Sequence, residues 1–334
     1  MNPTRWRAVL ALMAALALTV GVTACGSSDD SSSGSATETE STEGGEEGGG
    51  AIVDNPENAK VTLTVGSKNF TEQIILGEIY AQALEAAGYK VKKDLNLGSE
   101  TVALKNVKAG TISGYPEYVS TALTSFFGKE PEEVPADATE AYEEAKAEFE
   151  KESLTAFPPT PFASANAVGT TVATAEKYGL ETVSDLEGVS EKLTLYGSPE
   201  CRQRIDCLAG LEKLYGLKFK KFTPVDIGLR YTVLDKGQNN LSILFTTDPQ
   251  LSAESDKYVI LEDDKKVFPA GNVIWVTTPK VVEEAGPDYE KTITQVQEGM
   301  DLEVIQELGA RVELEKEPAA KVAAEYLEAA GYTG

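Results

Sequence analysis

The chain of 334 residues contains no histidine, three cysteines, three methionines and two tryptophans. Without histidine it lacks both the commonest general base and the commonest metal ligand. A nucleophile would have to rely on a Ser–Lys pair, and Ser67–Lys68 are adjacent residues at a strand end, which rarely face each other. No glycine-rich phosphate loop of the Walker type is present, so the chain is not itself an ATPase. No basic run offsets the formal net charge of −24, which argues against nucleic acid as a partner. There is no internal repeat of the kind that builds adhesive arrays. Long apolar runs are missing after residue 22, so a fused permease is excluded.

What is present begins with a basic start, Arg5 and Arg7, followed by an apolar run over 8–22 that ends Val22-Thr23-Ala24-Cys25. About 15 apolar residues are short for a membrane span, and small residues precede the cysteine. Residues 1–24 therefore read as a secretory signal with a lipobox, and Cys25 as the lipidated mature N-terminus at the outer face of a membrane. Residues 26–50 are almost wholly Ser, Gly, Thr, Asp and Glu, with seven carboxylates and nothing to bury. Residues 25–57 read as the lipidated cysteine and a solvated, self-repelling tether. In an exported chain the close pair Cys201 and Cys207 reads as a disulfide stapling a local turn. A zinc site would need two further ligands nearby, and none is there.

The remainder alternates strand-like runs (61–65, 91–95, 112–115, 167–169, 193–196, 218–222, 241–245, 258–261 and 273–276) with helical stretches. Among the helices, 71–87 places Ile74, Ile75, Ile79, Ala83 and Leu84 on one face and stops at Gly88; others span 138–151, 200–215 and 226–235, with a helical group after 279. This alternation predicts an α/β fold with mostly parallel sheets. Two corners stand out. Gly66-Ser67-Lys68-Asn69-Phe70-Thr71-Glu72-Gln73 follows the first strand, with Thr71 placed to cap a helix. Gly114-Tyr115-Pro116-Glu117-Tyr118-Val119-Ser120-Thr121 puts Pro116 where the first turn of a helix would accept it. Helix N-termini at such corners attract anions, and Lys68 adds a positive charge.

GSKNFTEQIILGEIYAQALEAAGYKV together with YPEYVSTAL closely resembles the osmoprotectant-binding proteins of ABC importers, which capture glycine betaine, choline, carnitine and related quaternary amines. The resemblance runs from about residue 61 to the C-terminus. It implies a two-lobed periplasmic-binding-protein fold of type II with the ligand in the cleft. Lobe 1 would comprise 58–162 plus 272–334 and lobe 2 would comprise 163–271, with crossings at Pro158-Pro159-Thr160-Pro161 and near Phe268-Pro269. Docking of the loaded receptor on a membrane permease, driven by separate ATPase subunits, is implied as well. A monomer without enzymatic activity, cofactor or metal ion is expected.

A trimethylammonium group has no N–H to donate, so aromatic faces must hold it, at roughly 0.5–2 kcal/mol each when dry. A carboxylate at the other end of the ligand wants Arg, Lys or backbone N–H groups. The resemblance carries the family's lysine to Lys68, beside Asn69, its first cage tyrosine to Tyr118, its threonine to Thr121 and its arginine to Arg204. Of the other three cage positions, the second falls at Asn166. The third falls at Phe245, followed by Thr246, and the fourth at Gly271. The cage is thus reduced to Tyr118 and Phe245. Tyr115 or Tyr196 could close the gap, Glu117 or Asp248 could act as counter-ion, or the pocket could hold another polar solute. Each residue also has a plainer reading. Lys68 could lie on the surface, Arg204 could pair with Glu200 along a helix, Phe245 and Tyr115 could be core, and Asp248 could cap its turn. Trp275, near the second crossing, is placed to report lobe closure by its emission.

Overall fold

The computed structural model describes residues 50–237 and 239–334; the expected signal peptide, Cys25 and the tether as far as residue 49 lie outside the described residues. Among the described residues eleven strands form two sheets. They are β1 (Thr62–Gly66), β2 (Lys90–Asp94), β3 (Gly114–Tyr118), β4 (Thr155–Ala156), β5 (Ala163–Ser164), β6 (Asn166–Thr171), β7 (Thr194–Gly197), β8 (Lys221–Pro224), β9 (Asn240–Phe245), β10 (Tyr258–Ile260) and β11 (Gly271–Thr277). One sheet has the order β2-β1-β3-β11-β4, with β5 also on β11, and the other β10-β6-β9-β7-β8. The chain passes from the first sheet to the second between Ser164 and Asn166, and returns between Ile260 and Gly271.

The sheets are mixed, a correction to the mostly parallel expectation. β1 runs parallel to β2 and β3, and β7 parallel to β8 and β9, but β11 is antiparallel to β3, β4 and β5, and β6 is antiparallel to β9 and β10. Hydrophobic alternation along a strand reports which side chains share a face and not the direction of the neighbouring strands.

In the first lobe the helix Thr71–Ala86 is buried on most sides, with Ile75, Leu76, Ile79, Tyr80, Ala83 and Leu84 against the C-terminal helices and the sheet. Gly88 ends it at φ +95°, and a Cβ there would meet the Asn55 carbonyl oxygen at 2.5 Å. That contact belongs to an ordered N-terminal segment. The Ile52 N–H donates to the Tyr332 carbonyl (2.9 Å), and Asn55 Nδ2 to Asp288 (2.7 Å). Residues 52–57, counted with the tether from sequence, thus dock on the domain, because Ile52 has core to pack against. The second lobe has its own core of Val168, Leu193, Leu195, Leu211, Leu241 and Ile243, into which Cys201 and Cys207 are packed.

Three local expectations change. Phe70, not Thr71, is the N-cap of the first helix, and Gln73 reaches back instead to accept the Lys68 N–H (3.4 Å). Pro116 lies within β3 and the helix starts at Val119; past Gly114 the only neighbour of β3 is β11, so the missing proline N–H costs little. The helix expected over 200–215 is broken into a short turn, Pro199–Arg202, and the helix Leu208–Leu214. The Cys201–Cys207 disulfide closes the loop between them.

Candidate functional site

A cavity of about 80 Å³ lies where the two lobes face each other, space for roughly five to eight water-sized groups. Five corners of the fold supply its walls. The ends of β1 and β3 bring Lys68, Asn69, Phe70, Tyr118 and Thr121, and the crossing into β6 brings Asn166. The disulfide-closed loop brings Arg204 and Asp206, and the end of β9 with the turn at Ile227 brings Phe245 and Arg230.

Three rings make a continuous aromatic surface across the cleft. Phe70 stacks on Tyr118 with centroids 6.3 Å apart at 18°, and meets Phe245 of the opposite lobe at 5.1 Å. All three rings already lie near a cation from the protein, with Lys68 Nζ 5.8 Å from the Phe70 centroid. Lys68 Nζ lies 4.5 Å from the Tyr118 centroid and the Arg230 guanidinium carbon 4.1 Å from that of Phe245. Lys68 is buried and paired with Glu117, which also accepts from the Tyr115 hydroxyl at 3.2 Å. Arg230 is 5 % exposed and donates from Nη2 to Asp248 (2.8 Å) and from Nε to the Ile227 carbonyl (2.8 Å). The Tyr118 hydroxyl donates to Glu72. Burial raises the Glu72 carboxyl above its ordinary pKa, only partly offset by hydrogen bonds from Thr247 and Tyr118. Burial, reinforced by Glu72, lifts the Tyr118 phenol well above its ordinary value.

Arg204 spans the lobes. Its Nε donates to Asp206 Oδ1 (2.8 Å), Nη1 lies 3.6 Å from Glu100 and Nη2 3.4 Å from the Thr121 hydroxyl. Burial opposes its charge, but Asp206 and Glu100 outweigh that and raise its pKa. It does not pair with Glu200 along a helix, because the loop has replaced that helix.

Lys68, Asn69, Tyr118, Thr121, Asn166, Arg204 and Phe245 all line the cavity; Thr246 and Gly271 do not. The Thr246 hydroxyl instead accepts the Ala165 N–H (3.0 Å), locking the crossing. Gly271 pairs with Ser164 in the sheet, and a Cβ on it would lie 2.3 Å from the Ser120 hydroxyl, so no side chain fits there. Tyr115 is core, and Tyr196 is away from the cavity. Asp248 is buried, accepting the Phe245 N–H (2.9 Å) and the Tyr231 hydroxyl (3.0 Å), which is the turn-capping role. Sequence reasoning missed Phe70, Glu100, Asp206 and Arg230. Phe70 was within reach, one residue past Asn69 in the same corner; an arginine opening a short helix gave no such signal.

The model of the substrate-binding domain of the ABC-type glycine betaine transport system matches residues 61–329. A glycine-betaine-binding protein of Pseudomonas aeruginosa is 33% identical over 277 residues, covering 80% of this chain and 87% of that protein. An ergothioneine transport permease/ergothioneine binding protein of Helicobacter pylori is 30% identical over 283 residues, 83% of this chain and 49% of that one. The crystal structure of a glycine betaine/carnitine/choline ABC transporter protein superposes with a TM-score of 0.62 at 27% identity, covering 80% of this chain and 97% of its own. With its two lobes, its cleft and this match over most of its length, the chain belongs to the family of substrate-binding domains of ABC-type glycine betaine transport systems.

Proposed function

We propose that this chain is the extracytoplasmic receptor of an ABC importer and captures a quaternary-amine osmoprotectant of the glycine betaine type. The observation that carries this reading is the joining of three rings from both lobes, Phe70, Tyr118 and Phe245, beside the cross-cleft arginine Arg204. The rings would take the alkylammonium end and Arg204, with Thr121, the acidic end. Lys68, Asn69 and Asn166 complete the contacts. Because the ligand touches both lobes, it binds the closed form better than the open one and shifts the population toward it. The closed receptor then docks on a permease coupled to separate ATPase subunits.

The chain acts as a monomer without catalysis or cofactor. Residues 1–24 direct export, Cys25 carries the lipid, and the acidic tether keeps the domain at the outer face of the membrane. The lobes follow the expected 58–162 with 272–334, and 163–271, except that Ala163, Ser164 and Gly271 pair within the first sheet and so go with the first lobe. A second reading, a different polar solute, draws on Lys68 and Arg230 sitting over the faces of all three rings. Calorimetric titration with glycine betaine, carnitine, choline and a panel of amino acids separates the two readings. Saturable binding of a quaternary amine supports the first, and response to amino acids alone supports the second.

A further inference from the structure

The Arg230 guanidinium is held rigidly. Nε and Nη2 are committed to the Ile227 carbonyl and to Asp248, and the Phe245 ring lies against its face. Among the described residues Nη1 has no hydrogen-bond partner, although the side chain is 5 % exposed and lines the cavity. Leaving a buried N–H of a charged group unpaired is costly, and folded proteins seldom leave one without a reason. Arg204 is different, since each of its three nitrogens faces an acceptor in Asp206, Glu100 or Thr121. An acidic group arriving at Arg204 must share it with two carboxylates. At Arg230 the same group meets a fixed donor with no competing acceptor.

We infer that Arg230 is a ligand-binding residue whose Nη1 joins Arg204 in receiving the ligand's acidic group, so that an acid-bearing zwitterion is held in preference to a plain cation. This rests on reading the cleft as the solute site. A carboxylate on Nη1 would lie beside Phe245, leaving Phe70 and the rest of the aromatic surface for the ammonium end. Nη1 is itself almost wholly enclosed, so an acid reaches it through a small local shift, and the planar fork then favours a planar acid.

The test compares the full chain with its Arg230→Gln and Arg230→Lys variants against three probes. These are glycine betaine, choline (a trimethylammonium with a hydroxyl in place of the acid) and acetate (the acid alone). Calorimetry reads the first two, and melting temperature with chloride-matched controls reads acetate. The Gln variant is expected to bind glycine betaine at least tenfold more weakly, to lose far less for choline and to lose the stabilisation by acetate, with the Lys variant intermediate. Equal losses for glycine betaine and choline would reduce Arg230 to a prop for Phe245 and overturn the inference, as would an unchanged affinity for glycine betaine. If neither quaternary amine binds the parent chain, the functional reading fails and acetate alone decides. Stabilisation of the parent but not of the Gln variant upholds Arg230; equal stabilisation, or none in the parent, overturns it. Should the Gln variant not fold because Asp248 loses its partner, the Lys variant, which keeps the charge, decides by the same criteria.

Discussion

In the first lobe the Lys68 ammonium sits 4.5 Å from the Tyr118 centroid and is paired with Glu117, while in the second the Arg230 guanidinium sits 4.1 Å from Phe245 and is paired with Asp248. The two walls therefore share one device, a ring backed by a paired, buried cation. They differ in how that cation is held. Lys68 is a point charge at a strand end, next to a carboxylate on the neighbouring strand that is itself wholly buried. Arg230 opens a short helix and keeps one N–H without a protein acceptor. The first arrangement secures the fold of its corner, and the second is built to meet something from outside. Arg204, bridging to Glu100 and Thr121, is where the two walls join.

That contrast can be broken by substitution. Lys68→Ala leaves Glu117 buried without its ion-pair partner and is expected to cost about 3–5 kcal/mol of stability, read by urea denaturation; a loss below about 1 kcal/mol would remove the structural role given to that pair. Arg204→Ala should act on binding instead, lowering affinity for glycine betaine about 100-fold with cooperative unfolding retained, since a charge-assisted hydrogen bond contributes about 1.5–3 kcal/mol. Tyr118→Ala should lower it at least tenfold, and calorimetry showing neither effect would contradict the site assignment. Phe70→Ala and Phe245→Ala should each cost about 5- to 10-fold. If only the Phe70 variant weakens binding, the Arg230 cation has taken Phe245 out of the cage and the walls are less alike than drawn.

The smallest expected effect is one of pH. The folded-state pKa of Glu72 is raised by burial. Its favourable contribution is thus fully present below the ordinary carboxylate value and is lost as pH rises through the folded one. Glu72→Gln should gain in melting temperature relative to the parent as pH rises above the ordinary carboxylate value, about 4. A constant difference as pH rises would mean that Glu72 titrates as an ordinary carboxylate.

The first wall was the more legible in sequence because it is local. Lys68, Tyr118 and Thr121 sit in two contiguous strand-end segments, so a motif places them without knowledge of the rest of the fold. Arg204 was found by resemblance, yet its surroundings were misread as helix, because a short disulfide-closed loop overrides helical spacing over 203–207. Phe70 gains its role only by meeting Phe245, and Arg230 only by meeting Phe245 and Asp248. Such roles arise from tertiary contact and leave no periodic trace. The exclusion of a side chain at Gly271 is of the same kind, set by the hydroxyl and backbone nitrogen of Ser120 rather than by its own neighbours in sequence.

Trp275, whose position suggested an optical reporter of closure, is fully buried in the first lobe and donates to the Tyr289 hydroxyl at 2.7 Å, so its emission should hardly change with the cleft. Calorimetric titration of the purified chain with glycine betaine is the more direct measurement. Saturable one-site binding in the micromolar range, weakened about 100-fold by Arg204→Ala, is the predicted result. No heat with any quaternary amine, alongside saturable binding of a different solute, would contradict the account.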